Sequence, residues 1–171
     1  MKFEFSAGGI VIRREKRKIF VLVCQHSQHH GWVFPKGLIG KKTQISNLSP
    51  RGEAGKFPIS KKETKEEAAL REVKEETGII GKIVHELSPV SYWYVLKGEK
   101  IKKTVYYYLM EHVAGNIHDH DDEMETVEWL QIHEVANRLT YKSDKEMWEK
   151  AKLLLSNPKS EYRNKPVQST K

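Results

Sequence analysis

The chain has 171 residues, 38% of them hydrophobic and 31% charged, and a formal charge of +7 at neutral pH, which is enough chain for one domain with a real core. Its longest apolar run, residues 19–24, is far too short to span a bilayer, MKFEFSAGG lacks the apolar stretch of a signal peptide, and the single Cys24 excludes an intramolecular disulfide. A cytoplasmic protein without membrane contact is therefore expected.

The positive charge is concentrated. Residues 38–62 hold Lys41, Lys42, Arg51, Lys56, Lys61 and Lys62 against Glu53, a net +5. Residues 158–171 hold Lys159, Arg163, Lys165 and Lys171 against Glu161, a net +3, which leaves the rest of the chain at −1. The basic pI is thus a property of two appendages and does not by itself point to nucleic acid.

Residues 3–12 and 19–24, joined by the charged turn RREKRK, predict a β-hairpin whose second strand is buried and contains Cys24. Gly8 and Gly9 within the first strand mark a bulge or the close approach of another group, with simple packing an equal reading. QHSQHHG, residues 25–31, is a polar loop. Its His26, His29 and His30 have no Cys or carboxylate beside them, so they are read as solvated and not as metal ligands. Trp32, Phe34 and Pro35 lead into Lys36 and Gly37, a tight turn whose backbone can approach a ligand and whose lysine suits a phosphate. Residues 38–62 carry Pro50, Pro58 and three glycines without periodicity. They predict a long surface insertion, read foremost as decoration and otherwise as a contact for a polyanionic substrate or RNA.

Residues 63–79, ETKEEAALREVKEETGI, predict a helix: Thr64 with Glu67 forms a capping box, and Gly78 sits at a left-handed C-terminal cap. At about 100° per residue, Ala69, Leu70, Val73 and Thr77 share a core face, whereas Glu72, Glu75 and Glu76 share another. Like charges spaced i,i+4 destabilise an isolated helix, so such a cluster suits a hard divalent cation such as Mg²⁺, with Mn²⁺ as a substitute. Arg71, one turn before Glu75, is placed to orient a ligand carboxylate, and Glu63 to serve the helix start.

Residues 82–89 predict a strand, and the next segment predicts two strands joined by a turn at 97–100. The second of these is expected to be central, because Val105, Tyr107 and Leu109 alternate with Thr104, Tyr106, Tyr108 and Met110 and both faces are apolar or aromatic. Tyr92, Trp93 and Tyr94 precede a lysine-rich turn. Rings stack on bases and ammonium groups meet phosphates, which suits a nucleotide with a long phosphate chain; core packing is the ordinary alternative. NIHDHDDE, residues 116–123, is an acidic turn without the glycine and glutamate spacing of a calcium loop. A strand over 127–131, a short helix over 133–139 and a helix from an N-cap at Ser143 to Leu155 follow, with Asp144 and Glu146 in its first turn. From residue 157 onward the composition predicts a disordered basic tail. The domain is drawn as residues 1–157 with the insertion 38–62, followed by the tail 158–171.

Glu63, Arg71, Glu72, Val73, Glu75, Glu76, Gly78 and Ile79 resemble the Nudix box, G-x5-E-x7-R-E-U-x-E-E-x-G-U with U aliphatic. The glycine is displaced. Phe57 stands at its strict position, and the matching glycine is Gly37 in WVFPKG, with the insertion between. Over residues 3–152 the resemblance implies an α/β (α+β) Nudix fold, a mixed β-sheet sandwiched between helices. It implies a Mg²⁺ site on Glu72, Glu75 and Glu76, completed by the Gly37 carbonyl and by Glu123 as ligand or general base. The segment from YWY to KTVYYY resembles the diadenosine tetraphosphate hydrolases of that family. By that resemblance Tyr94 and Tyr141 wall the base pocket and Lys103 contacts phosphate; Lys36, read above as suited to a phosphate, is the remaining substrate-binding candidate. The expected function is Mg²⁺-dependent hydrolysis of a nucleoside diphosphate linked to another moiety, foremost diadenosine tetraphosphate cut to ATP and AMP. RNA 5′-pyrophosphate hydrolysis, sanitising of nucleoside triphosphates and a non-catalytic nucleotide- or RNA-binding module are the alternatives. A monomer or weak dimer is expected.

Overall fold

A computed structural model describes residues 1–40 and 62–157. The strands are β1 (Lys2–Glu15), β2 (Lys18–His26), β3 (Trp32–Val33), β4 (Lys36–Leu38), β5 (Ile79–Glu86), β6 (Val90–Leu96), β7 (Glu99–Gly115) and β8 (Met124–Gln131). The helices are α1 (Lys65–Thr77), α2 (Val135–Arg138) and α3 (Lys142–Ser156), with a 3-10 turn at Ile117–Asp119.

β1 and β7 run parallel at the centre of one mixed sheet, paired from Lys2 with Ile101 to Ile12 with Glu111. β7 is central as expected: its other edge pairs with β6 and then with β5. The far edge of β1 is divided. Ser6–Gly8 pair with β4, whereas Ile12–Glu15 pair with β2, so the sheet parts beside Gly9. The gap is held by the Gly9 N–H, which donates to the Pro35 carbonyl at 3.1 Å. A Cβ at Gly8 would stand 2.3 Å from Pro35 O, and one at Gly9 would stand 2.8 Å from Val73 and Met110 side-chain atoms. Close approach, not a bulge, is what the two glycines serve.

Alternation on β7 divides the core. Val105, Tyr107 and Leu109 face a cluster with Trp148, Met147 and Ala151 of α3, whereas Tyr108 and Met110 face Ala68, Ala69 and Val73 of α1. The sheet is thus sandwiched between helices, and each fully buried aliphatic side chain contributes roughly 1.5–3 kcal/mol. Cys24 is buried in β2. No helix among the described residues is long and apolar enough to cross a membrane.

The capping box at Thr64 and Glu67 forms, and Gly78 closes α1 in the left-handed region at φ 74°. The buried face of α1 differs from the one predicted. Leu70 is 36% exposed, while Glu72 and Glu76 are each 1% exposed beside Ala68, Ala69, Val73 and Thr77. Hydrophobicity alone turns Leu70 inward; the partners that the chain supplies to the two carboxylates, described below, rotate the helix the other way. α3 begins earlier than predicted, with Tyr141 and not Ser143 at its N-cap and no side-chain cap bond. β5 starts directly after the Gly78 cap, and the hairpin β6–β7 turns tightly on Lys97 (φ 50°) and Gly98 (φ 79°). Most of the insertion, residues 41–61, and the tail 158–171 lie outside the described residues.

Candidate active site

Two groups of charges are assembled at the parting of the sheet. The first lies in the seam between α1 and β4. Arg71 donates through Nε to Glu63 Oε1 (2.5 Å), through Nη1 to Glu72 Oε1 (2.6 Å) and Glu75 Oε2 (3.2 Å), and through Nη2 to the Leu38 carbonyl (3.1 Å). Glu63 also accepts from the Gly40 N–H at 2.8 Å. Hydrogen bonding from Arg71 holds the Glu63 carboxyl below its usual range against the opposing effect of burial, and Glu63 in turn raises the Arg71 guanidinium. Gly37 lies against this group: a Cβ there would stand 2.1 Å from Glu72 Cδ. Only a residue without a side chain lets the β4 backbone meet that carboxylate.

The second group lines a cleft of about 780 Å³ into which Lys36, Glu76, Tyr92, Tyr94, Lys103, Glu123, Tyr141 and Asp144 project, with His26 and His29 at its edge. Glu76 reaches it from α1 through the gap in the sheet and accepts the Lys36 backbone N–H at 2.9 Å. Burial, with repulsion from Glu123 and Glu72, pushes the Glu76 carboxyl well above the usual carboxylate range, and Lys36 opposes the shift. The Lys36 ammonium lies 3.7 Å from Asp144 Oδ1, which also accepts from the Tyr107 hydroxyl at 3.0 Å. Burial works against the charge of Lys36, yet Asp144, Tyr92 and Glu76 outweigh it and hold the ammonium above its ordinary value. Lys103 goes the other way, lowered by burial and by the like charge of Lys36. Two ammonium groups in one cleft, one of them underneutralised, form a place that a phosphate chain would stabilise.

The walls come from separate elements. Tyr94 on β6 donates to Glu4 Oε2 at 2.6 Å, and its ring lies 6.4 Å from that of Tyr92. Tyr141, 40% exposed at the N-cap of α3, shares a hydrogen bond of 2.9 Å with His29 Nδ1, and His29 stacks on His26 at 4.1 Å. Glu123 is set by its loop. Ser27 donates to its carbonyl through N (3.0 Å) and Oγ (2.9 Å), and the neighbouring Asp121 N–H donates to the Glu75 carbonyl at 2.9 Å. Its carboxylate lies 3.7 Å from His26 Nε2.

The structure therefore brings Lys36, Glu76, Tyr94, Lys103, Glu123 and Tyr141 around one cleft and places Arg71, Glu72 and Gly37 behind it, with Glu75 on the exposed side of α1. Sequence reasoning did not assign Asp144, His26, His29 or Glu4 to the site. Tyr92 had a signal: it stands two residues from Tyr94, on the same side of a strand, and pairs directly with Lys103. Asp144 had none, since an acidic residue in a helix's first turn is ordinary.

Among the described residues no three His, Cys, Asp or Glu side chains converge closely enough to hold a metal ion as they stand. The donor set nonetheless fits a hard cation. Glu72 and Glu76 are buried carboxylates that repel each other, Glu123 adds to that repulsion, and the side chain missing at Gly37 leaves backbone against Glu72.

The NUDIX domain family model matches residues 3–151. The chain belongs to the Nudix family. It is 39% identical over 164 residues to a proposed mutator protein, MutT4, of Mycobacterium tuberculosis (strain CDC 1551 / Oshkosh), a match that covers 92% of this chain. The chain spans 58% of the length of that relative. The Nudix fold is shared with the NUDIX domain of Shewanella oneidensis NrtR, solved with ADP ribose (TM-score 0.63, 18% identity, 91% of this chain and 90% of that one). It is shared also with an Ap4A hydrolase of C. elegans (TM-score 0.59, 24% identity, 90% of this chain and 99% of that one). In this Nudix domain α1 is the box helix, and the displaced Gly37 is brought back to it in space.

Proposed function

We propose that the chain is a Mg²⁺-dependent pyrophosphohydrolase that cleaves a nucleoside diphosphate linked to another moiety, foremost diadenosine tetraphosphate to ATP and AMP. The observation that carries this reading is the single cleft in which two tyrosines from separate elements, Tyr94 and Tyr141, share space with Lys36, Lys103 and the buried Glu76. Glu72, Glu75, Glu76, Glu123 and the Gly37 carbonyl would hold the cation. Bound there, it would supply Lewis acidity toward phosphate oxygens and water.

The chain's own residues do the rest. Tyr94 and Tyr141 offer ring faces to a base, and stacking there is worth about 1–3 kcal/mol per base. Lys36 and Lys103 hold the phosphate chain, and Asp144 with Tyr107 keeps the Lys36 ammonium in place. Glu123, half-exposed at the cleft, is positioned to accept the proton of an attacking water. Arg71 does not face the cleft; it fixes the carboxylates of Glu72 and Glu75 from behind. Positioning and electrostatics without a covalent enzyme intermediate suffice for an in-line displacement at phosphorus.

A nucleoside triphosphate pyrophosphohydrolase is the second reading, favoured by the 39% identity to the proposed mutator protein MutT4. The RNA reading drew on the basic insertion and tail, most of which lie outside the described residues. Product analysis with Mg²⁺ at equal concentrations of diadenosine tetraphosphate, nucleoside triphosphates and 5′-triphosphorylated RNA tests the proposal. ATP and AMP in equal amounts from the dinucleotide, at the highest kcat/KM, is the expected result. Nucleoside monophosphate and pyrophosphate from triphosphates at a higher kcat/KM would move the assignment to the second reading, and no turnover on any of the three would reject an enzyme.

A further inference from the structure

The sheet has a second chemically distinctive surface, on the side away from the cleft. Directly paired residues on neighbouring strands share a face. Phe3 of β1 pairs with Lys102 of β7, which pairs with Trp93 of β6; one step along, Phe5 pairs with Thr104, which pairs with Ser91. These two rows continue the face that α1 covers from Ala7 and Tyr108 onward. Ahead of α1 the rings lie open: Phe3 is 52%, Phe5 49% and Trp93 46% exposed. The ammonium groups of Lys100 and Lys102 stand 4.7 and 5.8 Å from the centre of the Trp93 ring, and neither has a carboxylate partner among the described residues. Ser91 and Thr104 share a 2.9 Å hydrogen bond between Phe5 and the strand edge.

We propose that this face binds single-stranded nucleic acid, on a site separate from the nucleotide cleft. Residues two apart on a strand stand about 6.5–7 Å apart, so Phe3 and Phe5 offer consecutive stacking positions along β1, and Trp93 offers a third two strands away. Rings on a sheet surface take bases without regard to sequence, and unpaired lysines beside them take the backbone phosphates. Along these two rows the charged side chains are lysines, which complements a polyanion. An anionic membrane would also attract rings and lysines. It is the poorer match, because the rings here are set apart by lysines and a hydroxyl pair, whereas insertion into lipid needs a contiguous apolar surface.

The test is fluorescence anisotropy of a short labelled 5′-hydroxyl oligouridylate and of oligothymidylate with the full chain at low and moderate salt, beside cosedimentation with phosphatidylcholine vesicles containing phosphatidylserine. Salt-sensitive oligonucleotide binding is expected. Phe5→Ala and Trp93→Ala should each weaken it about tenfold, as lost stacking does. Trp93→Phe should restore most of it, and Lys100→Glu with Lys102→Glu should flatten the salt dependence. Hydrolysis in the cleft should keep its kcat/KM in all of these variants. Binding that survives Phe5→Ala and Trp93→Ala would belong to lysines elsewhere and would overturn the proposal. Absence of oligonucleotide binding at low salt, or binding to vesicles alone, would overturn it too.

Discussion

The seam between the Nudix helix and β4 and the cleft beside it both gather charged groups, yet they are built in opposite ways. In the seam one guanidinium satisfies Glu63, Glu72 and Glu75 and the Leu38 carbonyl, all between 2.5 and 3.2 Å. In the cleft Lys36 and Asp144 stand 3.7 Å apart, Glu76 is held well above its usual range, and Lys103 is held below its own. The seam is a saturated support. The cleft keeps interactions unmade, and perturbed groups of that kind are what a charged substrate and its cation can satisfy. Substitutions should therefore separate the two: those in the cleft should cost rate, and loss of the guanidinium that holds the seam together should cost stability first.

The largest effect is expected from Glu76→Gln, which keeps the shape and removes the charge. Its kcat should fall by about 10²–10³-fold, the scale set by losing one preorganised electrostatic group. Its melting temperature should not drop, because a buried repelled carboxylate contributes little to folding. A folded variant that keeps Mg²⁺-dependent turnover would break the comparison at its strongest point. Arg71→Ala should show the reverse priority. Taking the guanidinium away from the Glu63 and Glu72 carboxylates should destabilise the fold by about 3 kcal/mol, read by denaturant unfolding, with lost activity as a consequence. Arg71→Lys should recover only part of that, since an ammonium cannot reproduce the fork that meets Glu63 through Nε and Nη2.

Much of this division was legible in the sequence, and the part that was not has a physical cause. The capping box, the Gly78 cap and the central β7 strand follow from local spacing, and local spacing survives folding. The buried face of α1 did not follow. A hydrophobic pattern puts Leu70 inside, but Glu72 and Glu76 took that position because Gly37 leaves room for Glu72 while Arg71 and the distant Lys36 N–H supply partners. Asp144 was unreadable for the same reason: its partners Tyr107 and Lys36 lie 37 residues or more away, and its own helix turn offers an ordinary explanation. Spacing names groups that act together on one element. It is silent on groups that meet across elements.

Asp144→Asn probes one such meeting. Tyr107 and Lys36 lose a charged acceptor, so stability should fall by about 1–3 kcal/mol. If Asp144 holds Lys36 for the phosphate chain, KM should rise several-fold while kcat changes less. Equal loss of both, with KM unchanged, would place Asp144 among the supports and blur the boundary between seam and cleft.

The smallest effect concerns the wall. Tyr94 anchors its ring to β1 through Glu4, and Tyr94→Phe removes the anchor while keeping the ring. The hydrogen bond from Tyr94 holds the Glu4 carboxyl below its ordinary value, and Glu4 pushes the Tyr94 hydroxyl up to about 12. A carboxyl lowered in the folded state contributes stability above its ordinary range and loses it as pH falls through the lowered value. A hydroxyl raised in the folded state contributes below its ordinary value of about 10 and loses it as pH rises toward the raised one. The stability difference between the natural chain and Tyr94→Phe should therefore form a plateau across neutral pH and vanish at both ends. Its height should be about 1 kcal/mol or less at this partly solvated site. KM should change little in Tyr94→Phe and rise about tenfold in Tyr94→Ala, because a base stacks on the ring and not on the hydroxyl. If both variants raise KM equally, the hydroxyl itself contacts substrate. Glu4 would then belong to the cleft's reactive front, and the line between support and site would run through β1.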